Sequence, residues 1–225
     1  MPSEEIRKEL VDYGTRLMVE GLVTGPGGNL SAREGNIAYL SPSGFAFDEL
    51  NPEDYVAIEV ESGDILGGDK RPTSEFLMHL ACYRRRPDIG AVVHTHPRYT
   101  IAMSSSGHDI RPMFADFHIY TLSKIPHIDY LTVTTPELAK AVEAVIEDAN
   151  VVVLRNHGAV ALGRHLKEAY YRMACLEEGA QIQWLATVAG KPRFLVDSEL
   201  ADLDQLGSEQ YRRKLLAEAK KRKTA

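Results

Sequence analysis

Cysteine is nearly missing from this chain: 225 residues contain two, Cys82 and Cys175, each set among helix-like residues. Two distant thiols make no disulfide framework, so the fold must rest on its own apolar core, with both cysteines as small reduced core residues. Positive charge is also in short supply. Lysines and arginines number 26 against 32 aspartates and glutamates, a formal charge of −6, whereas a protein that displaces counterions from nucleic acid needs the opposite balance. The one basic cluster, Lys220-Lys221-Arg222-Lys223, is expected to close a helix, where cations complement the dipole. No apolar stretch approaches the ~20 residues that span a bilayer, and the polar start Met1-Pro2-Ser3-Glu4-Glu5 does not read as a secretory leader. Internal repeats, low-complexity tracts and linkers are absent as well. The expectation is one cytoplasmic domain, residues 1–225, with neither nucleic acid nor membrane as partner.

What is present divides into helical and strand-like stretches. Ile6, Leu10, Tyr13, Leu17 and Met18 recur at three- and four-residue steps behind Ser3, which predicts an amphipathic helix ending at Gly21. Strand-like pieces around Leu30-Ser31, Ile37–Leu40 and Val56–Val60, punctuated by Ser62-Gly63-Asp64 and Gly67-Gly68-Asp69, predict an antiparallel meander. Helices are predicted over 74–86, stopped by Pro87, over 136–148, opened by Pro136, over 166–188 and over 198–221. The region 104–135 reads as irregular. Helices alternating with mostly hairpin-linked strands predict a three-layer α/β/α domain around a mostly antiparallel sheet.

Chemistry concentrates at His94-Thr95-His96, which follows the apolar run Gly90-Ala91-Val92-Val93. On a strand, residues two apart project to the same side, so both imidazoles can reach one metal ion. A third, His157, lies in a second apolar strand context that begins at Val151. Three neutral imidazoles with an open coordination position are the donor set of a catalytic zinc site, although such sites also accept Mn²⁺ or Co²⁺. His79, His108, His127 and His165 lack this context and are expected to be solvated or locally hydrogen-bonded.

Glu75, ahead of the run Phe76, Leu77, Leu80, Ala81, has two readings. It is a dipole-complementing residue of a first helical turn, or a carboxylate near the metal that ligates weakly or exchanges a proton beside a polarised carbonyl. The segment Gly25-Pro26-Gly27-Gly28-Asn29-Leu30-Ser31 fits neither nucleotide fingerprint. It reads as a turn or as an anion cradle. With Ser43/Gly44 and Thr73/Ser74, Gly28 and Asn29 would gather a phosphate on backbone amides and hydroxyls, without needing a lysine or arginine.

The series Gly27-Gly28-Asn29-Leu30-Ser31, Ser41-Pro42-Ser43-Gly44, Pro72-Thr73-Ser74-Glu75, His94-Thr95-His96-Pro97 and Asn156-His157-Gly158 resembles the class II aldolase/adducin family, closest to its L-fuculose-1-phosphate aldolase branch. The likeness runs from about residue 5 to 190. It implies an α/β/α domain in a C4 homotetramer with sites between subunits. His94, His96 and His157 would then hold zinc, one ion per chain. Glu75 would be the fourth ligand in the empty site and the acid/base once substrate displaces it. Gly28, Asn29, Ser43, Gly44, Thr73 and Ser74 would bind the phosphate of a small substrate. The implied reaction is cleavage of a ketose 1-phosphate to dihydroxyacetone phosphate and a short aldehyde through an enediolate.

Members of that branch carry a tyrosine, donated by a neighbour, after the His-x-His strand. Here the matching stretch is Phe114-Ala115-Asp116-Phe117-His118-Ile119-Tyr120, in which Asp116, His118 or Tyr120 stands in its place. Tyr211 is the counterpart of an aromatic residue in the C-terminal tail, or else a packing residue. Other branches use the same site for decarboxylation or dehydration. Pentulose-phosphate 4-epimerases place aspartate where Glu75 stands, and adducin heads have lost metal ligands that this chain keeps.

Overall fold

A computed structural model describes residues 2–122 and 124–218. Eight strands, β1 (Asn29–Glu34), β2 (Ile37–Leu40), β3 (Val56–Glu59), β4 (Ile65–Gly67), β5 (Ala91–Thr95), β6 (His127–Ile128), β7 (Val151–Leu154) and β8 (Gly158–Gly163), join in one sheet of order β4-β3-β2-β1-β5-β8-β7-β6. Every pair of neighbours is antiparallel except β6 with β7. One face is covered by α1 (Pro2–Val19), α3 (Arg98–Ser105), α4 (Ala115–Thr121) and α6 (Leu166–Ala189), the other by α2 (Phe76–Arg85) and α5 (Pro136–Val145). Two helices, α7 (Asp197–Gln205) and α8 (Gly207–Ala217), follow α6 and pack on α4. The expected three-layer α/β/α domain with a mostly antiparallel sheet is the observed one. No helix among the described residues is long and apolar enough to cross a membrane.

The central strands are buried on both faces, and their period of two sorts the core. On β5, Ala91 and Val93 join α1 and α6, while Val92 faces α2 and α5. On β7, Val151 and Val153 part in the same way from Val152 and Leu154, and on β8 Ala159 and Ala161 part from Val160 and Leu162. The same alternation turns Leu30 and Ala32 of β1 to the α1 side and leaves the fully buried Ser31 for the α2 side. Polar residues therefore enter the α2 layer where α2 starts.

Four expectations need correction. The region read as irregular holds the last two residues of α3 and all of α4 and β6; α4 spans seven residues, too few for a helical period to emerge, and is held by Phe117 and Ile119, both buried. The predicted helix 198–221 is two, because Leu206 takes an extended conformation (φ −67°, ψ 121°) between α7 and α8. His157 lies in the turn joining β7 to β8, not on a strand. His79 is neither solvated nor bonded to its neighbours in sequence: it is fully buried on α2 and reaches β1. The basic cluster 220–223 lies outside the described residues.

Candidate active site

The site forms where β5 leaves the sheet. His94 faces Asn29 of β1 on one side and Val160 of β8 on the other, and it is fully buried. Its Nδ1 lies 2.9 Å from the Ala159 carbonyl oxygen. A carbonyl only accepts, so Nδ1 donates to it, and Nε2 is turned toward the Glu75 carboxylate and the His96 ring. His96 follows one residue beyond the strand end, its Nε2 3.2 Å from that of His94. His157 completes the group from the hairpin turn, where Asn156 adopts φ +58°. One ligand nitrogen from each of the three rings lies within 4.8 Å of the others, with ring centroids 4.7–5.4 Å apart.

This convergence needs a glycine at 158. A Cβ there would stand 2.3 Å from the Thr95 carbonyl oxygen and 2.9 Å from His96 Cδ2, so any side chain would part β8 from β5. Gly28 is comparably constrained: at φ +75°, a Cβ would meet the His94 carbonyl oxygen at 2.9 Å.

Glu75 sits immediately before α2, as its N-cap residue. Its Oε2 is 3.1 Å from His94 Nε2 and accepts from the Asn29 side-chain amide at 3.0 Å, while Oε1 lies 3.5 Å from His157 Nε2. Oε1 is buried and has no hydrogen-bond donor among the described residues. Three converging imidazole nitrogens and a buried, unsatisfied carboxylate oxygen fit a divalent transition metal. Burial works against the charge on Glu75, but His94, the Asn29 amide and His157 outweigh it and hold the carboxyl below its usual range. Burial first, and then the charge of His94, bring His96 and His157 each down to about 4. Both imidazoles are thus neutral and ready to ligate near pH 7.

The segments holding the expected phosphate donors lie side by side. Pro42 bridges Pro72, Ser43 N–H donates to the Arg71 carbonyl (3.0 Å), and Thr73 N–H donates to the Ser41 carbonyl (2.9 Å). Ser43 and Ser74 line an open recess together with Phe45, Lys70, Arg71 and Pro72. Two cations therefore border the place where the sequence called for none. Gly44 lies in the adjoining turn at φ +86°. Thr73 is buried, and its hydroxyl accepts from the Glu75 N–H at 3.3 Å. Ser74 of the recess immediately precedes Glu75, so the chain itself sets the carboxylate beside the recess, and Asn29 points its amide at Glu75 from β1.

The remaining candidates stand apart within one chain. Asp116 pairs with Arg212 at 3.3 Å and His118 with Asp204 at 3.0 Å, tying α4 to α8 and α7. Tyr120 packs on Tyr171 of α6, and Tyr211 is 60 % exposed on α8. The residue that sequence reasoning missed is His79, bonded to Asn29 directly beneath Glu75. Its signal was the four-residue step Glu75, His79, Tyr83 on one helix face, set against the two-residue step Asn29, Ser31 on a strand.

The chain was compared with known proteins. The profile described as "Class II Aldolase and Adducin N-terminal domain" matches residues 8–184. A 5-deoxy-D-ribulose 1-phosphate aldolase of Bacillus thuringiensis serovar kurstaki is 35% identical over 199 residues, 88% of this chain and 92% of that protein. A 3-oxo-tetronate 4-phosphate decarboxylase of Haemophilus influenzae is 32% identical over 209 residues, 89% of this chain and 97% of that protein. Among solved structures, an L-fuculose 1-phosphate aldolase superposes with a TM-score of 0.82 at 28% identity, covering 92% of this chain and 96% of that one.

Proposed function

The chain belongs to the class II aldolase and adducin N-terminal domain family, and from that membership we propose that it is a cytoplasmic, zinc-dependent aldolase. It cleaves a ketose 1-phosphate, of the L-fuculose-1-phosphate kind, to dihydroxyacetone phosphate and a short aldehyde. The observation that carries this reading is the Glu75 carboxylate, 3.1 Å from His94 beside the three-histidine group and one residue after Ser74, which lines a recess with Ser43, Lys70 and Arg71.

His94, His96 and His157 would hold the ion, with Glu75 as a fourth ligand, and a divalent ion there would supply electrophilic stabilisation of the negative charge that builds on the ketone half as the carbon–carbon bond breaks. Gly28, Asn29, Ser43, Gly44, Thr73 and Ser74 bind the phosphate, which orients the reacting carbons toward Glu75. The hydroxyl that becomes the aldehyde gives up its proton, and the bond between the two halves opens. Glu75, having taken up a proton from solvent, delivers it to the freed carbon, completing the hydroxymethyl group of dihydroxyacetone phosphate, while the base that took the hydroxyl proton returns one to solvent. Asp116, His118 or Tyr120, supplied by a neighbouring subunit of a homotetramer, takes the hydroxyl proton, and Tyr211 is a second helper on the aldehyde side.

The Haemophilus relative favours a second reading, a decarboxylase or dehydratase in which the same site stabilises charge left by a different departing group. A screen separates the two. Zinc-loaded protein is offered L-fuculose 1-phosphate, 5-deoxyribulose 1-phosphate and a 4-phosphorylated 3-oxo acid, with aldehyde and carbon dioxide both measured. Aldehyde from a ketose 1-phosphate supports the aldolase; carbon dioxide from the oxo acid alone replaces it with the decarboxylase.

A further inference from the structure

The hydrogen bonds that hold Glu75 do not stop at Asn29. Asn29 Oδ1 lies 2.6 Å from His79 Nε2, His79 Nδ1 lies 2.7 Å from Ser31 Oγ, and Ser31 Oγ lies 2.8 Å from the Tyr83 hydroxyl. Ser31 and His79 are fully buried and Tyr83 is 1 % exposed. The fold builds this contact by matching two periods. Glu75, His79 and Tyr83 follow one another at four-residue steps along one face of α2, while Asn29 and Ser31 are two apart on β1 and face the same layer.

The direction of every bond follows from chemistry. A carboxylate only accepts, so Asn29 must turn its NH₂ to Glu75, and its Oδ1 then faces His79. An amide oxygen only accepts, so His79 Nε2 must carry the proton. The neutral ring leaves Nδ1 as an acceptor for the Ser31 hydroxyl, and the Ser31 oxygen in turn accepts from Tyr83. Burial lowers the His79 pKa to about 3 and raises that of Tyr83, so each keeps the protonation state the chain requires.

We propose that His79 is a positioning residue for Glu75: by donating to Asn29 Oδ1 it fixes the Asn29 amide with its NH₂ toward the carboxylate. Without that donor, nothing on the α2 side prevents the amide from turning over. Its oxygen would then face the Glu75 carboxylate, an acceptor set against an acceptor. An apolar residue at 79 would pack as well between α2 and the sheet, where Met78, Leu80 and Cys82 are already buried, but would leave Asn29 and Ser31 with unpaired polar atoms. The catalytic consequence rests on the aldolase reading; the bonding itself does not.

The test has two arms. In the first, long-range ¹H–¹⁵N spectra of the imidazoles are recorded on the metal-free, uniformly ¹⁵N-labelled protein between pH 6 and 8. The expected His79 signal is a neutral ring protonated at Nε2; a ring protonated at Nδ1, or an imidazolium, overturns the proposal. In the second, His79→Leu, His79→Gln and Tyr83→Phe are compared with the parent for metal content, thermal midpoint and kinetics. His79→Leu is expected to keep its metal and lose kcat by about 10–100-fold, the scale of partners that orient ligands, with KM little changed. In His79→Gln the side-chain NH₂ restores the donor to Asn29 and recovers most of that loss. If the leucine variant fails to fold, glutamine and phenylalanine variants still decide: glutamine must stay near the parent rate and Tyr83→Phe must fall below it. Parent rates in all folded variants, or equal losses in leucine and glutamine, overturn the role. A parent that shows the Nε2–H tautomer but cleaves no ketose phosphate sinks the aldolase reading and leaves the hydrogen-bond chain standing.

Discussion

Gly158→Ala should damage the metal site more than any other single-methyl change. Its Cβ would lie 2.3 Å from the Thr95 carbonyl oxygen, 2.9 Å from His96 Cδ2 and 3.3 Å from His94 Cε1. Carbon–oxygen contacts settle at about 3.3 Å or more, so the β7–β8 turn must retreat from β5 by roughly 1 Å. The nearest atom is backbone, which cannot rotate away. The retreat loosens the pairing of Thr95 with Ala159 and, with it, the bond from His94 Nδ1 to the Ala159 carbonyl. Overpacking of this kind costs about 1–3 kcal/mol, and a backbone clash belongs at the upper end. For a chain of this size each kcal/mol moves the melting midpoint by about 2–4 °C, so a fall of roughly 4–12 °C is expected. Metal affinity should drop further, by about 10–100-fold, because the tautomer of His94 and the place of His157 both depend on this contact. Thermal melts of the metal-free protein and competition with a chelator measure the two effects. Gly207→Ala is the control, since nothing lies within 4 Å of a Cβ there. A Gly158→Ala protein with the parent's midpoint and metal affinity would refute the geometry of the hairpin and the site it supports.

Other outcomes follow from the same picture. The purified chain should hold about one divalent ion, and His94→Ala, His96→Ala and His157→Ala should each fold but lose it; elemental analysis decides. His96 and His157 are held neutral down to about pH 4, so in imidazole NMR of the metal-free protein these two rings should stay unprotonated from pH 8 to about 5.5. The sign for stability follows too: both histidines protonate more readily when unfolded, so their contribution is complete above about pH 6.5 and is lost as pH falls toward 4. Inorganic phosphate should compete with substrate, and Ser43→Ala and Ser74→Ala should raise KM by about 10-fold or more, the loss of a charge-assisted hydrogen bond of about 1.5–3 kcal/mol. Asn29→Ala should raise KM and lower kcat together, since its amide touches Glu75. In light scattering the active protein should be a tetramer; a fully active monomer would exclude any group donated by a neighbour.

Much of this was legible in the residues. The alternation Ala91, Val92, Val93 predicts a strand buried on both faces, and Ile6, Leu10 and Leu17 predict one amphipathic helix, because local periodicity alone decides which atoms leave water. The metal ligands were legible because two of them share one strand end and the third precedes an obligatory glycine. Where partners come from distant elements, the reading stopped. His79 looked unremarkable until α2 was laid over β1, and Lys70 and Arg71 joined the hydroxyl recess only once residues 41–44 and 71–74 were bridged. α4 stayed hidden because seven residues held by two buried side chains carry no period of their own. The break at Leu206 is a matter of one backbone conformation, which composition does not encode strongly.

Exchange of a proton by Glu75 at the carbon next to the ketone needs no aldehyde to be tested. Metal-loaded protein is mixed with dihydroxyacetone phosphate in deuterated water and the hydroxymethylene hydrogens are followed by NMR. Stereospecific uptake of one deuterium is expected, lost by at least about 10²-fold in Glu75→Gln, which keeps metal but cannot accept the proton. Metal-loaded parent protein that exchanges nothing, or a glutamine variant that exchanges at the parent's rate, would contradict it.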